Sequence, residues 1–265
     1  MPEGHTIHRL AREHRAVLPG RPIRAASPQG RFADGAARLD GRSVTRVDPY
    51  GKHLFYGFGD DTWLHVHLGL YGTFVTGPLP APEPRGALRL RMSTDGAYVD
   101  LRGPTACELL AGGERRQILA RLGPDPLRRD GTPEPAWQRM SASRTPVAAL
   151  LMDQSVLAGV GNVYRAEILF RWNVDPFRPG RELAEELWLQ MWADLRTLMR
   201  AGVRAGHIVT TRRQDRDRRT GAPALEDRFY VYRRTDLPCR VCGTPVRTRE
   251  LVGRNLYWCP VCQAA

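Results

Sequence analysis

Apolar residues at the start of the chain recur at helical spacing, and those that follow fall into short alternating runs. Residues 5–18 place Ile7 and Ala11 on one helical face, and Pro19 ends the pattern. The runs predicted as strands are residues 43–47, 52–58, 62–67, 71–75, 88–92 and 97–101. This spacing predicts a β-sandwich or barrel behind a leading helix. We interpret the proline-rich residues 76–86 as a loop.

A change in composition at residues 122–126 separates this half of the chain from the next. The sequence there, LGPDP, supports neither a helix nor a central strand. Beyond it, helical spacing predicts helices over residues 135–140, 146–152, 163–170 and 182–199. Gly202 is expected just past the end of the last helix. Residues 210–223 are rich in arginine and poor in apolar side chains, so we interpret them as a mobile, solvated loop.

Composition and charge narrow the class of partner. The 265 residues, 42% of them hydrophobic, fit either one large domain or two modest ones, and we expect two. The formal charge of +12 indicates a polyanion, because a basic surface gains binding free energy by releasing counterions from phosphates. Nucleic acid is favoured over an anionic membrane, since the arginines are spread along the chain. Without a membrane span or signal peptide, we expect a cytoplasmic, nucleoid-associated protein.

Lys52 is the only lysine, and every other residue in the Lys+Arg total is arginine. A coding bias that replaces lysine wherever either cation serves would explain the arginines. The exception is either chance or a position where an amine is required, because lysine can lose its proton and arginine cannot. Lys52 is therefore a candidate for catalytic chemistry.

Four of the five cysteines form two pairs, Cys239 with Cys242 and Cys259 with Cys262. Two C-x2-C turns separated by a short hairpin can direct four thiolates at one ion, which predicts a structural zinc site with no position open for substrate. Disulfides are the alternative, but nothing indicates an oxidising compartment. The fifth, Cys107, is expected to be a buried small residue.

Two turns carry polar residues that suit phosphate binding. Residues 244–258, between the cysteine pairs, predict two strands joined by a turn that holds Gly253, Arg254 and Asn255. Arg254 at this tip can bind phosphate or be an ordinary exposed arginine. A glycine turn at residues 159–162 separates two helical segments, and Asn162 is expected to cap the second. The free backbone amides at the start of this second helix can bind an anion, such as a DNA phosphate. Alternatively, the turn is only a structural connection between two packed helices.

Four segments together, taken in order along the whole chain, resemble one family. They are MPEGH at the start, YGKHLF, DQSVLAGVGNVYRAEILF and the final GRNLYWCPVC. The chain resembles the formamidopyrimidine-DNA glycosylase and endonuclease VIII family, closest to its actinobacterial endonuclease VIII-like branch. The resemblance implies a monomeric base excision repair enzyme that binds damaged double-stranded or single-stranded DNA, both removing the base and cleaving the strand as an AP lyase.

The resemblance also implies four regions. They are an N-terminal catalytic β-sandwich domain at 1–121, a linker at 122–134, a helix-two-turn-helix domain at 135–235 and a zinc ribbon at 236–265. The expected fold class is thus multi-domain α and β.

The catalytic residues implied by the resemblance lie at the chain start. Removal of Met1 would expose the secondary amine of Pro2, which is partly neutral near pH 7 because terminal amines have a lower pKa than lysine. Attack on the sugar C1′ expels the base and leaves an iminium, which permits β-elimination and then δ-elimination. Glu3 would be the general acid and base, and Lys52 would contact the flanking phosphates and assist proton transfer.

The implied DNA contacts are spread along the chain. Asn162 and Arg254 match phosphate contacts beside the flipped nucleotide, Arg254 also assisting δ-elimination, and Arg121 matches a DNA-contacting arginine. Leu70 and Tyr71 match the wedge that fills the space left by the flipped base. The alternative interpretation is that they are two ordinary residues at the end of a strand.

Two departures from the family concern the choice of lesion. Thr6 replaces a frequent glutamate, and the lesion-contacting loop near residues 207–221 is unlike both well-known branches. Oxidised pyrimidines are the expected substrates. A DNA-binding protein without catalysis and a glycosylase for bulky or crosslinked adducts remain alternatives. His65 and His67 are interpreted as alternate residues of one strand.

Overall fold

The computed structural model describes residues 2–217 and 220–264. The chain divides into two compact units, Met1–Arg121 and Leu122–Ala265. Across the described part of the chain, no helix has both the length and the apolar composition needed to cross a membrane.

The first unit contains a leading helix, two antiparallel four-stranded sheets and two further helices. The helices are α1 (Gly4–Val17), α2 (Ala33–Leu39) and α3 (Gly112–Ala120). The strands are β1 (Arg24–Ala26), β2 (Arg46–Tyr50), β3 (His53–Gly57), β4 (Thr62–His67), β5 (Thr73–Pro78), β6 (Leu88–Ser93), β7 (Ala97–Arg102) and β8 (Ala106–Ala111). One sheet has the order β2-β3-β4-β8 and the other β1-β6-β7-β5. Side chains from α1 and from both sheets share one core, which is the expected sandwich.

The leading helix is confirmed, and the strand predictions need correction at several places. The first predicted strand, 43–47, is shifted, since β2 runs Arg46–Tyr50. The predicted loop at 76–86 begins too early, because β5 continues to Pro78 as an edge strand, where proline costs no ladder hydrogen bond. Four elements were not predicted, namely β1, β8, α2 and α3. The strand β8, ACELLA, has no clear polar alternation, and its pairing with β4 outweighs that weak local signal.

His14 is buried in this core on the inner face of α1. Its Nδ1 lies 2.7 Å from the Tyr56 hydroxyl, and the edge of its ring packs against Phe74. Burial lowers the pKa of His14 to about 3, because the charged imidazole would lose its hydration.

Acid should therefore destabilise this core through His14. The unfolded chain takes up a proton at His14 near pH 6.5, whereas the folded chain does so only near pH 3, so the stabilisation present above pH 6.5 is lost as pH falls between those values. Within this pH range, one buried neutral histidine adds about 1.4 kcal/mol per pH unit to the slope of the free energy of unfolding plotted against pH. Urea unfolding at pH 5.5, 5.0 and 4.5, inside this range, should show a slope for His14→Gln smaller than that of the wild type by that amount, whatever its absolute stability. An unchanged slope would contradict the assignment.

The second unit consists of helices and a terminal hairpin around one core. The elements are α4 (Glu134–Ser141), α5 (Val147–Leu150), α6 (Asn162–Arg171), α7 (Glu185–Ala205), β9 (Arg247–Leu251) and β10 (Arg254–Trp258), with single 3-10 turns at Gly180–Glu182, Arg213–Asp215 and Glu226–Arg228. Leu256 of β10 lies in the same core as Trp188 of α7, so the hairpin packs as part of this unit. Residues 122–134, predicted as a linker, also pack here, since Gly123 donates to the Gln154 carbonyl at 2.9 Å and Asp125 is buried.

Two predicted boundaries in this unit were wrong, the end of the long helix and the position of the hairpin turn. The helix α7 continues past Gly202, which is buried within it, and stops at Gly206. Gly206 has φ 79, a left-handed conformation that glycine adopts without steric cost. The hairpin turn is formed by Val252 and Gly253, both with positive φ, as in the two-residue turns that fit strand twist. Arg254 therefore begins β10 rather than lying in the turn.

Candidate functional site

The beginning of the chain places a carboxylate inside the first unit. Glu3 is the residue before α1, and its backbone carbonyl accepts the Thr6 amide at 2.9 Å. The Glu3 side chain is fully buried, at 0% exposure, while Pro2 is half-buried. A buried carboxylate beside the chain start is the kind of group that exchanges protons in catalysis. Met1 lies outside the described residues.

The start of α1 and the turn that carries Lys52 lie toward the same end of the sheet. Near the end of α1, Arg15 donates to the Val47 carbonyl at 2.8 Å, and just beyond the helix Pro19 pairs with Val44. The helix therefore runs antiparallel to β2. From Arg15 back to Gly4 the helix rises about 16 Å, and from Val47 to Tyr50, the last residue before the turn of Gly51 and Lys52, the strand covers about 10 Å in the same direction. The structure thus places Glu3 and Lys52, far apart in sequence, at one end of the first unit.

Beside Lys52 lies a chain of hydrogen bonds that the sequence analysis missed. His53 Nδ1 is 2.8 Å from His65 Nε2, and His65 Nδ1 is 2.9 Å from Glu108 Oε1. The carboxylate can only accept, so His65 donates from Nδ1 and accepts at Nε2 from His53. Burial lowers the pKa of His53 to about 3, with His65, His67 and the nearby cations adding to this, so the ring is neutral. The interpretation of His65 as merely an alternate strand residue was therefore incomplete.

Strand register is the signal that would have revealed this chain. His65 of β4 lies opposite Phe55 of β3 and opposite Glu108 of β8, so the three side chains share one face of the sheet. His53 is two residues from Phe55 and hence on that face too. Because β8 was not predicted, Glu108 was not available as a partner.

The proposed wedge residues stand on the surface of the first unit. Leu70 is 42% exposed and Tyr71 is 83% exposed, in the turn between β4 and β5. An almost fully exposed tyrosine beside an exposed leucine is free to contact another molecule. Arg121 follows α3 as its C-cap residue and is exposed.

In the second unit, Asn162 connects the helix start to the hairpin. Asn162 is the first residue of α6 and Gly161 is the cap, so the prediction that Asn162 caps the helix was wrong. Its side-chain amide instead donates to the Asn255 carbonyl at 2.9 Å, and its carbonyl oxygen accepts from Arg165. Arg254, the residue next to Asn255, is exposed. The structure therefore brings together Asn162 and the strand that carries Arg254.

The four paired cysteines converge on one point, as predicted. Their sulfur atoms all lie within 4.8 Å of one another. The Sγ atoms of Cys239 and Cys262 are 3.8 Å apart, and those of Cys242 and Cys259 are 3.4 Å apart. Four sulfurs at the corners of a tetrahedron about 2.3 Å from zinc lie about 3.8 Å apart, so the donor set fits zinc. The zinc is structural because protein ligands occupy all four positions.

Cys107 lies in the other unit, half-buried against the core. Burial raises the pKa of its thiol to about 12, so it remains protonated and unreactive near neutral pH.

Models of three domains match the chain in order. The formamidopyrimidine-DNA glycosylase N-terminal domain matches residues 1–107, and the formamidopyrimidine-DNA glycosylase H2TH domain matches residues 122–214. The zinc finger found in FPG and IleRS matches residues 236–265.

Individual relatives match over nearly the full length. Endonuclease 8 1 of Mycobacterium tuberculosis is 53% identical, with 99% of this chain and 100% of the relative covered. Formamidopyrimidine-DNA glycosylase of Thermus thermophilus is 34% identical, with 99% and 98% covered, and endonuclease 8 of Escherichia coli is 34% identical, with 99% and 100% covered. The chain therefore belongs to the formamidopyrimidine-DNA glycosylase and endonuclease VIII family. Its higher identity to the mycobacterial protein supports the actinobacterial endonuclease VIII-like branch.

Solved structures share the fold. The crystal structure of the MutM (Fpg) protein from Thermus thermophilus has a TM-score of 0.79 at 31% identity, covering 99% of this chain and 98% of that one. The Lactococcus lactis Fpg bound to DNA with an abasic site has a TM-score of 0.81 at 20% identity, covering 99% and 100%. The expected multi-domain α and β class, with its zinc ribbon, is confirmed.

Proposed function

We propose that this chain excises oxidised pyrimidines from DNA through a covalent intermediate on the amine of Pro2. Its family membership makes it a bifunctional DNA glycosylase and AP lyase of base excision repair. The observation that carries the proposed chemistry is the fully buried Glu3 at the start of α1, toward the same end of the unit as Lys52.

The proposed reaction uses the chain start as both nucleophile and acid-base centre. With Met1 removed, the Pro2 nitrogen attacks C1′, the bond to the base breaks, and the base leaves with the electron pair and a proton. Once the nitrogen has lost its proton, the sugar ring opens: the C1′–O4′ bond breaks, O4′ takes up a proton, and an iminium forms between C1′ and the Pro2 nitrogen. The iminium withdraws electrons and acidifies the C2′ proton, so β-elimination expels the 3′ phosphate and δ-elimination the 5′ phosphate. Glu3 donates and accepts the protons, because it is the buried carboxylate nearest to the nucleophile in sequence.

DNA binding is proposed to use both units. Lys52 and Arg121 contact phosphates from the first unit, and Asn162 and Arg254 contact them from the second, with Arg254 assisting δ-elimination. In support, the Asn162 amide is fixed to the strand that carries Arg254. One chain carries every proposed residue, so a monomer suffices.

Borohydride trapping tests the nucleophile. Reduction of the iminium should join the enzyme to abasic DNA at Pro2, and peptide mapping should find the link there after loss of Met1. The matched variant Lys52→Arg keeps the positive charge and should still be trapped at Pro2. A link at Lys52, or no strand cleavage of an abasic duplex at all, would contradict the proposal. The second outcome would favour the DNA-binding protein without catalysis.

Leu70 and Tyr71 are proposed to fill the space left by the flipped base, which their exposure permits. Rotating a base out of the duplex costs less free energy when that base is weakly paired. Single-turnover rates should therefore be highest for abasic sites and single-stranded or weakly paired lesions, then oxidised pyrimidines, and lowest for 8-oxoguanine opposite cytosine. Leu70→Ala should slow duplex substrates about tenfold and single-stranded ones less, because only a duplex leaves a gap to fill. Fastest excision of 8-oxoguanine opposite cytosine would refute the pyrimidine preference.

A further inference from the structure

The hydrogen-bond chain from His53 to Glu108 lies on the outer face of one sheet of the first unit. Leu54 and Val66 belong to the core, so His53 and His65, which alternate with them along β3 and β4, face the opposite side. His65 is buried, at 4% exposure, whereas the Glu108 side chain is 52% exposed. The chain therefore runs from the start of β3, through a buried ring, to a carboxylate in contact with solvent.

Lys52 stands at the buried end of this chain. Its turn joins β2 to β3 and is closed by the pairing of Tyr50 with His53. Burial lowers the pKa of both His53 and His67, whose rings lie 5.0 Å apart, and the ammonium charge of Lys52 is among the causes that lower both further. A charge that acts on both rings lies close to both. The single lysine and the first imidazole of the chain thus share one end of the sheet.

The other ionisable groups around His53 come from the two neighbouring strands, from β8 and from α3. They are Asp48 and Tyr50 on β2, His65 and His67 on β4, Glu108 on β8, Arg115 on α3 and Arg121 at its end. Of the two carboxylates, Asp48 pairs with Arg115, whereas Glu108 accepts from His65. The chain therefore ends on Glu108, and the surrounding cations disfavour a charged imidazole at His53.

Both rings are kept neutral, which decides how a proton can cross them. The pKa of His53 is lowered to about 3 and that of His65 is lowered as well, mainly because burial deprives a charged ring of its hydration. A proton can therefore enter one side of a ring only as another leaves the opposite side. The tautomers suit this exchange, since each ring has a hydrogen on Nδ1 and a lone pair on Nε2.

We propose that His53, His65 and Glu108 form a proton relay between Lys52 and solvent. Lys52 gives a proton to Nε2 of His53, whose Nδ1 proton passes to Nε2 of His65. The Nδ1 proton of His65 passes to Glu108 and then to water. The net change is one proton moved from Lys52 to water with no electron transferred, and the reverse sequence restores both tautomers.

The relay rests on the proposed function, in which Lys52 assists proton transfer. Lys52 must then lose and regain a proton, and DNA bound at this end of the unit shields its amine from water. The relay supplies a second route to solvent, along the outer face of the sheet. Its three residues act through Lys52 and are therefore positioning residues.

The test compares Glu108→Gln with the matched control Glu83→Gln, an exposed glutamate of the same unit. Glutamine can still accept the hydrogen bond of His65 but cannot take its proton. Single-turnover excision of 5-hydroxyuracil by Glu108→Gln should fall about tenfold at pH 6.5 and less than about threefold at pH 9, where hydroxide removes the proton directly. Anisotropy titrations should show DNA binding within about twofold of the wild type. The control should match the wild type in each measurement.

A double-mutant cycle tests the link to Lys52. Arginine cannot release a proton, so in a Lys52→Arg background the relay has no proton to carry. Adding Glu108→Gln to Lys52→Arg should change the excision rate less than about twofold at pH 6.5, against about tenfold in the wild-type background. An equal loss in both backgrounds would overturn the link.

The outcomes separate the relay from the proposed function. No loss, or an equal loss at both pH values, would overturn the relay. NMR of isotope-labelled histidine reads the tautomers without DNA, and a hydrogen on Nε2 of His53 would overturn it as well. If Glu108→Gln unfolds, His65→Gln interrupts the chain at its middle, and excision by that variant without a loss at pH 6.5 would also overturn it. A wild type inactive on both 5-hydroxyuracil and abasic DNA would refute the proposed function but leave the NMR result standing.

Discussion

Replacing Glu3 by glutamine is expected to lower the rate of base excision by about 10²–10⁴-fold, the usual contribution of a positioned acid or base. Glutamine has nearly the same shape, so the buried position before α1 remains filled. It cannot exchange a proton, so the departing base is not protonated. Single-turnover assays on a 5-hydroxyuracil duplex would measure the loss, and fluorescence anisotropy should show unchanged DNA binding.

Glu13→Gln provides the matched control on the same helix. Glu13 forms an ion pair with Arg9 at 2.8 Å on the outer part of α1, where both side chains are about one-third exposed. Its loss should change stability little, since exposed pairs contribute about 0–1 kcal/mol, and excision should be normal. Normal excision by Glu3→Gln as well would exclude Glu3 as the acid-base group.

Features set by local spacing were predictable from the sequence. The two C-x2-C pairs define the zinc site without reference to the rest of the fold, because a short turn alone brings two sulfurs together. The helix α1 was equally clear, since its apolar positions recur on one face and Pro19 follows.

Features that depend on pairing between distant segments were not predictable. The chain from His53 through His65 to Glu108 requires the register of three strands, one of which lacks an alternating pattern. The ion pair of Asp227 with Arg240, which lies in a zinc-binding turn, likewise depends on how the chain folds back on the ribbon. Neither contact leaves a periodic signal in a single sequence, because tertiary packing decides it.

The error at Asn162 has a similar origin. Asparagine is a preferred capping residue, and the local sequence GVGN suggested that role. Gly161 caps the helix instead, and the Asn162 amide pairs with the Asn255 carbonyl of the hairpin. A long-range partner therefore replaced the local one, and it placed Asn162 beside the strand of Arg254.

Loss of zinc is expected to abolish DNA binding together with the fold of the ribbon. Cys239 and Cys259 are buried in a cluster with Val246, Phe170 of α6 and Tyr230, so two of the zinc ligands also belong to the packing between the ribbon and α6. Structural zinc contributes about 10–16 kcal/mol in small domains, which is comparable to the whole stability of a typical domain. Cys259→Ser should therefore release the hairpin, and with it the proposed contacts made by Arg254.

The effect should extend from the ribbon to the helix start. The carbonyl of Asn255 on β10 holds the Asn162 amide, so an unfolded ribbon also releases that proposed phosphate contact. Metal analysis should find one zinc in the wild type and in the control Cys107→Ser, and none in Cys259→Ser. Anisotropy titrations with abasic DNA should show binding weaker by at least about 100-fold for Cys259→Ser alone, corresponding to two lost charge-assisted phosphate contacts. Metal-free protein that binds this DNA normally would refute the structural role assigned to zinc.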